Sequence, residues 1–352
     1  FICSLKVLFY LARRLPTLLL KHLKTIMKKQ IQILAIVLSS LFVLSCDDDN
    51  DNNDTCCHGS SIVDVASQEE SLSTLVAALQ ATGLDAALTG QGPFTVLAPT
   101  NDAFDIFLAS INATSLEDIP VDVLTNVLLN HVIIGEVESS SLTNGYANTQ
   151  AISSASGTNM SLYINTDNGV SFNGVSNVLT ADIAASNGVV HVVDGVIGLP
   201  TIVTFALADP SFEVLVQALI REDLTQDFVG LLSIPAGSAP SPFTVFAPVN
   251  SGFVNLLGEL GLDSLNDIDE PTLSAVLSYH VVVGVNQLST NLSEGLEFTT
   301  AQGGTLQFGY ADNGGMELGV LTDNNERTSN IVALDVQADN GIIHAIDTVV
   351  LP

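Results

Sequence analysis

Apolar residues recur at helical spacing in "LSTLVAALQATGL" (72–84), where Leu72, Leu75, Val76 and Leu79 fall on one face. The spacing predicts a helix there. Asn101 stands in the capping position ahead of "DAFDIFLASI", so a second helix is expected to begin at that point. Pro120 precedes "VDVLTNVLLNHV" (121–132), the third predicted helix. From about residue 146 the pattern changes. Short alternating runs are broken by Asn-Gly and Asp-Asn-Gly, as in "INTDNGVSFNGVSN" (164–177), and these are hairpin signals. Helices followed by strands predict an α+β domain.

The pattern then repeats. "GPFTVLAPTNDAF" (92–104) returns as "SPFTVFAPVNSGF" (241–253), and "LLNHVIIG" (128–135) as "LSYHVVVG" (277–284), both at an offset of 149 residues. "NGVVHVVDGVIGLP" (187–200) returns as "NGIIHAIDTVVLP" (340–352) at an offset of 153, and "LSTLVAAL" (72–79) as "FEVLVQAL" (212–219) at 140. The second copy therefore carries extra residues in between, where "LSIPAGSAPSP" (232–242) reads as an extended loop. Blocks in constant order with changes confined to loops indicate a duplicated domain. The second copy also repeats the strand-rich half, as "TLQFGYADNGGMELGV" (305–320).

Both pairs of blocks resemble the signatures of the fasciclin (FAS1) domain, the first around "FTVLAPTNDAF" and the second around the His-x-x-Asp of "NGVVHVVD". The resemblance covers 61–200 and 201–352. It implies two tandem domains, each a β-wedge with helices packed along it, acting as extracellular or surface adhesion modules that bind and do not catalyse. Asn101, Asp102, His131, His191 and Asp194 fall on the structural motif in the first copy, and Asn250, His344 and Asp347 in the second. Some animal members use a Tyr-His pair after the third helix to support integrin binding. That pair stands here as Tyr279-His280, followed by Val281 and Val282, and these four residues with loop 232–242 are the candidate contacts. In the first copy the tyrosine is replaced by Asn130.

The two His-x-x-Asp motifs also invite a catalytic or metal reading. On a strand, side chains alternate faces, so His191 and Asp194 point to opposite sides, as do His344 and Asp347. A histidine among valines is more often a buried group satisfied by hydrogen bonds. Zinc shared by His131 and His191 would need a third ligand, and neither domain holds a cysteine. No G-x-S-x-G, H-E-x-x-H or P-loop motif occurs. No catalytic residue, metal or cofactor is expected.

Charge sharpens the picture. Of nine basic residues only Arg221 and Arg327 lie beyond residue 46, whereas all 38 acidic residues do. Such a surface repels nucleic acid, which is bound through Lys and Arg. The basic residues sit in the leader region. "MKKQIQILAIVLSSLFVLSC" (27–46) has the layout of a secretory signal ending in a lipobox, with Cys46 as the acylated residue. Residues 1–26 read as upstream translated sequence, 27–45 as signal peptide and 46–60 as an acidic disordered tether. Asp47, Asp48 and Asp49 resemble a surface-export signal. "CCH" (56–58) lacks structural-zinc spacing. The expected protein is a surface lipoprotein of the outer membrane. Its partners are extracellular matrix, a cell-surface protein or a polysaccharide, and it contacts the membrane through its anchor only. A glycan-binding accessory lipoprotein, which would need an aromatic platform, is the first rival. A metal-dependent hydrolase is the second.

Overall fold

The computed structural model describes residues 59–313 and 316–352. The signal, lipobox and CCH readings lie outside the described residues.

In the first copy, α1 (Ile62–Gln68), α2 (Ser73–Thr82) and α3 (Leu84–Leu88) precede β1 (Phe94–Pro99). Then come α4 (Asn101–Ser110), α5 (Val121–Leu129), β2 (Val132–Ile134), β3 (Gly145–Ile152), β4 (Asn159–Asn165), β5 (Ser171–Phe172), β6 (Ser176–Ala185) and β7 (Gly188–Val193). Ser61 opens α1 through a capping box with Asp64. Gly83, at φ 71°, ends α2 in the left-handed conformation that glycine adopts without strain. The sequence placed one helix over 72–84 and another over 121–132; both stop earlier. Val132 and Ile133 leave the helix because they pair with Val96 and Thr95 of β1.

The second copy runs α6 (Ile202–Ala208), α7 (Glu213–Leu219), α8 (Phe228–Leu232), β8 (Phe243–Pro248), α9 (Asn250–Leu260), α10 (Glu270–Tyr279) and β9 (Val281–Val283). It ends with β10 (Glu297–Thr299), β11 (Thr305–Asn313), β12 (Met316–Thr322), β13 (Thr328–Gln337) and β14 (Gly341–Ile346).

Each copy forms a seven-stranded sheet, in the orders β2-β1-β7-β6-β5-β4-β3 and β10-β11-β12-β13-β14-β8-β9. The two signature blocks meet as its one parallel pair, with Leu97 beside His191 in the first copy and Phe246 beside His344 in the second. A parallel pair needs a crossover, and here the helices and the remaining strands supply it. Both partners are buried along their length, which explains their unbroken apolar character. Helices α1, α2, α4 and α5 cover one face, packing Leu75, Phe104 and Leu128 against Val96 and Val190. The architecture is α+β, twice.

The copies are joined by more than the Pro200–Thr201 peptide. Ser153 Oγ donates to Ala338 O at 2.7 Å, and Gln337 N donates to Ser161 Oγ at 2.9 Å. Tyr146 donates its hydroxyl to Asp209 at 2.9 Å and sets its ring edge against Phe205. Tyr163 of β4 is packed within the second copy's core. Burial and the facing Asp209 carboxylate push the Tyr146 phenol far above its ordinary range and Tyr163 up to about 12.

Candidate functional site

Each copy buries two histidines, and both ring nitrogens of every one are taken by the backbone. His131 lies in the turn between α5 and β2, and not on the predicted third helix. Its Nδ1–H donates to Val127 O at 2.8 Å, and its Nε2 accepts from Ile197 N at 2.9 Å. His280 repeats this with Val276 O at 2.7 Å and Val350 N at 3.2 Å. The ring thus ties the helix end to the segment after the last strand. Burial lowers both pKa values to about 4.

His191 and His344 carry the opposite tautomer. Nδ1 of His191 accepts from Asp182 N at 3.1 Å, so its Nε2–H donates to Val137 O at 3.0 Å. His344 accepts from Asp335 N at 3.3 Å and donates to Gln287 O at 2.8 Å. Burial holds the His344 imidazole below its ordinary value. All four rings serve as neutral donor–acceptor bridges, a role that a second ring proton would break.

Asp194 does not meet His191. It lies just past the end of β7 and accepts from Asn177 N at 2.6 Å and Asn177 Nδ2 at 2.9 Å. Asp347 accepts from Asn330 N at 2.9 Å and Asn330 Nδ2 at 2.7 Å. These carboxylates fasten the start of β6 and β13 to the exit of the neighbouring strand.

A different aspartate reaches each strand histidine. Asp182 and Asp335 sit at positive φ (61° and 58°) where the strand register shifts. Asp182 Oδ1 is 3.8 Å from His191 Nδ1, and its carboxylate accepts Ser139 N at 2.7 Å as well as the Ser139 hydroxyl. Ser289 binds Asp335 in the same two ways. Those serine bonds hold the Asp182 carboxyl below its usual range. Serine, aspartate and histidine are therefore neighbours, yet the order is wrong for nucleophilic catalysis. The hydroxyl donates to the carboxylate and not to the imidazole, and the nitrogen that a general base would use faces a carbonyl. Sequence reasoning missed this cluster. Its signal was a serine and an aspartate repeated in both copies with no role assigned.

Asn101 does not cap its own helix. Thr100 does, accepting from Ala103 N. Asn101 instead reaches the preceding helix, accepting from Thr74 N at 2.9 Å and donating to Glu70 O at 3.0 Å. Asn250 does the same with Val214 N and Pro210 O. The signature asparagine is a cap supplied from a distance. Asp102 is exposed in the first turn of α4, where a carboxylate favours the helix dipole.

The binding expectation at Tyr279, His280, Val281 and Val282 is corrected. All four are buried. Tyr279 donates its hydroxyl to Thr305 O and accepts from Asn324 N at 3.2 Å, while Val282 packs with Phe298 and Leu306. The apolar face of a short strand on a helical layer has no route to solvent here; Val283 is the exposed residue of the run. Among the described residues, no group of three His, Cys, Asp or Glu side chains is placed to hold a metal.

Fold and site together define a duplicated α+β module whose polar motifs are internal fasteners. The fasciclin domain model matches residues 70–200 and 210–352, and the chain belongs to that family. The protein sll1483 of Synechocystis sp. is 40% identical over 136 residues, covering 39% of this chain and 72% of that protein. Human periostin is 28% identical over 268 residues, covering 75% of this chain and 29% of its own. The transforming growth factor-beta-induced protein ig-h3 of Sus scrofa is 28% identical over 269 residues, covering 75% of this chain and 35% of its own. The chain thus spans about a third of the animal relatives' length. A solved FAS1 domain pair from the insect cell adhesion molecule fasciclin I aligns with 80% of this chain and 97% of its own, at 20% identity and TM-score 0.48. Fasciclin domains are associated with cell adhesion and matrix interaction and are non-enzymatic.

Proposed function

We propose that the protein is a surface-anchored adhesion lipoprotein, held by an acyl group on Cys46 and presenting two docked fasciclin domains to matrix, a cell-surface protein or a polysaccharide. The observation that carries this reading is the full engagement of the repeated histidines in both copies, which makes the motifs scaffold and leaves function to the surface. That surface is strongly anionic. Residues 59–352 hold 33 carboxylates against two arginines, and both arginines are engaged internally, Arg221 with Asp223 and Arg327 with Glu259. Association with a cationic face, or through bridging cations, fits this balance, and repulsion keeps neighbouring copies apart. Two docked domains add avidity where one partner surface spans both.

The test is protease shaving of intact cells, in the wild type and in a strain with Asp47, Asp48 and Asp49 changed to alanine. Loss of the full-length protein in the wild type and protection in the variant support surface display. Protection in both places the protein in the periplasm and overturns the adhesion reading. Replacing Cys46 with alanine should release the protein from the membrane fraction.

A further inference from the structure

The halves differ in one hairpin. In the first copy β4 and β5 are held by two pairs, Ile164 with Phe172 and Asn165 with Ser171. In the second, β11 and β12 pair seven times, from Gln307 with Thr322 out to Asn313 with Met316. Strand β10 pairs with β11 only over Thr305–Gln307, and β13 with β12 only over Val320–Thr322. From Tyr310 and Gly319 outward, the hairpin is therefore a ribbon without a third paired strand among the described residues. The shared architecture does not require it, since the first copy folds with a shorter one.

Tyr310 stands at the base of this ribbon. It is 46% exposed and is the one exposed aromatic side chain among the described residues. Its ring is set perpendicular to that of buried Phe308, with centroids 5.0 Å apart. The residue opposite on β12 is Gly319, which brings no side chain over the ring. Glu294 is exposed, and its carboxylate accepts the Tyr310 N–H at 2.8 Å. That bond blocks strand addition along this edge, so a partner meets the face and not the backbone. Asp312 is exposed two residues further on, on the face that Phe308 and Tyr310 share. An anchored aromatic ring thus lies between two carboxylates.

We propose that this ribbon face binds an arginine-bearing basic segment of a partner protein, with one guanidinium stacked on the Tyr310 ring and paired with Glu294. The face of an aromatic ring attracts a cation, and a planar, weakly hydrated guanidinium stacks on it while donating to a carboxylate. The charge balance favours this occupant. The two arginines of the described residues are spent on Asp223 and Glu259, so no cation of the protein's own competes for the ring. An acidic ligand is repelled here, and a neutral saccharide gains nothing from the negative potential. The inference rests on the adhesion reading, for which it names the cationic face and its place of contact.

The experiment is calorimetric titration of the purified protein, in 0.15 M salt, with an alternating arginine–serine peptide, followed by hydrogen–deuterium exchange of the complex. Saturable binding is expected, with exchange slowed across residues 305–322 and not elsewhere. Tyr310→Leu should weaken binding about fivefold, with unchanged thermal melting as the control, and Tyr310→Phe, which keeps the ring, should bind as the wild type does. Glu294→Gln keeps an acceptor for the Tyr310 N–H and should weaken binding about threefold. Glu222→Gln, an exposed carboxylate between α7 and α8, should leave it unchanged. Wild-type affinity in Tyr310→Leu, equal losses in the two glutamate variants, or protection spread over both domains overturns the proposal. So does protection of the ribbon by cellohexaose and not by the peptide, which assigns the ring to a saccharide. Peptide binding that survives alongside a periplasmic result from protease shaving refutes surface adhesion and leaves the site standing; surface display without peptide binding does the reverse.

Discussion

Lowering the pH from 7.5 to 4.5 should destabilise both domains, and the buried helix-end histidines set the size of the effect. In the unfolded chain these side chains titrate near 6.5; folded, burial depresses His131 and His280 to about 4. Above 6.5 neither state holds the proton, and the stability is fully present. Between 6.5 and about 4 the unfolded chain binds it and the folded chain does not, so stability falls with pH; below about 4 the slope levels off. At about 1.4 kcal/mol per tenfold change in proton affinity, each histidine contributes about 3 kcal/mol across the window, and water entry in the protonated fold reduces this to roughly 2–3. With a urea m-value of about 2 kcal/mol/M, the midpoint of each domain should fall by about 1–1.5 M. His344 adds to the second domain's loss in the same direction. The carboxylate-rich surface works oppositely, because protonation relieves self-repulsion, so the titration should be run in 0.5 M salt to screen that contribution. The informative comparison is with His131→Asn plus His280→Asn. Asparagine keeps a donor for Val127 and Val276 but leaves the Ile197 and Val350 N–H groups unpaired, costing about 1–3 kcal/mol per domain at pH 7.5. The double variant should be less stable at neutral pH, yet nearly flat between 6.5 and 4.5 in the first domain, with the second keeping only the slope that His344 supplies. An unchanged pH slope in that variant, or a folded-state His131 ring resonance titrating near 6.5, would refute the reasoning.

Three further outcomes can be checked by urea denaturation. Asn101→Ala and Asn250→Ala should each cost about 1 kcal/mol, as lost caps do, with the effect confined to the domain that carries the change. Asp347→Ala should cost about 1–3 kcal/mol, because Asn330 N–H loses its acceptor, and Asp347→Asn should recover part of this. Tyr146→Phe, which leaves buried Asp209 without its phenol partner, should cost about 1–3 kcal/mol and separate the two unfolding transitions, readable as a biphasic melt. A single unshifted transition would show that the Tyr146 contact does not couple the domains.

Much of the fold was legible because its signals are local. Apolar spacing located α2, the capping position at Asn101 located α4, Asn-Gly pairs located the hairpins, and the repeated blocks disclosed the duplication. What failed was decided by tertiary contact. Val132 continues a helical pattern but pairs with Val96, and that partner lies far away in the chain. Asn101 looks like a cap for its own helix; which helix it serves depends on α2 arriving beside it. Tyr279 and the valines after it read equally well as an exposed contact or as core, and only the packing of β10–β12 over them decides. The opposite-face argument set His191 apart from Asp194, but Asp194 lies past the end of β7 and is turned to Asn177. It could not supply Asp182, whose approach requires a register shift within β6. Helix α1 was overlooked although Ser61 and Asp64 carry the capping-box spacing, because the run is too short for periodicity to register.

Two copies in one chain act as an internal control on which residues the architecture demands. The bonds made by His131 recur at His280, those of His191 at His344, those of Asp182 at Asp335, and those of Asn101 at Asn250. A bond that survives duplication while most neighbouring residues have changed is one the fold needs, since losing it leaves a buried backbone group unpaired in either setting. By the same logic the residues that differ are free to carry function. The tyrosine of the second copy is asparagine in the first, yet both are spent internally, Asn130 on Gly198 O and Thr149 and Tyr279 on Thr305 O. Those alternatives solve one packing problem in two ways. The pair of Arg327 and Glu259 stands where the first copy has Gly174 and Ser110, and there the small glycine lets Ala208 of α6 pack close, so the neighbouring domain takes the place that a side chain fills in the second copy.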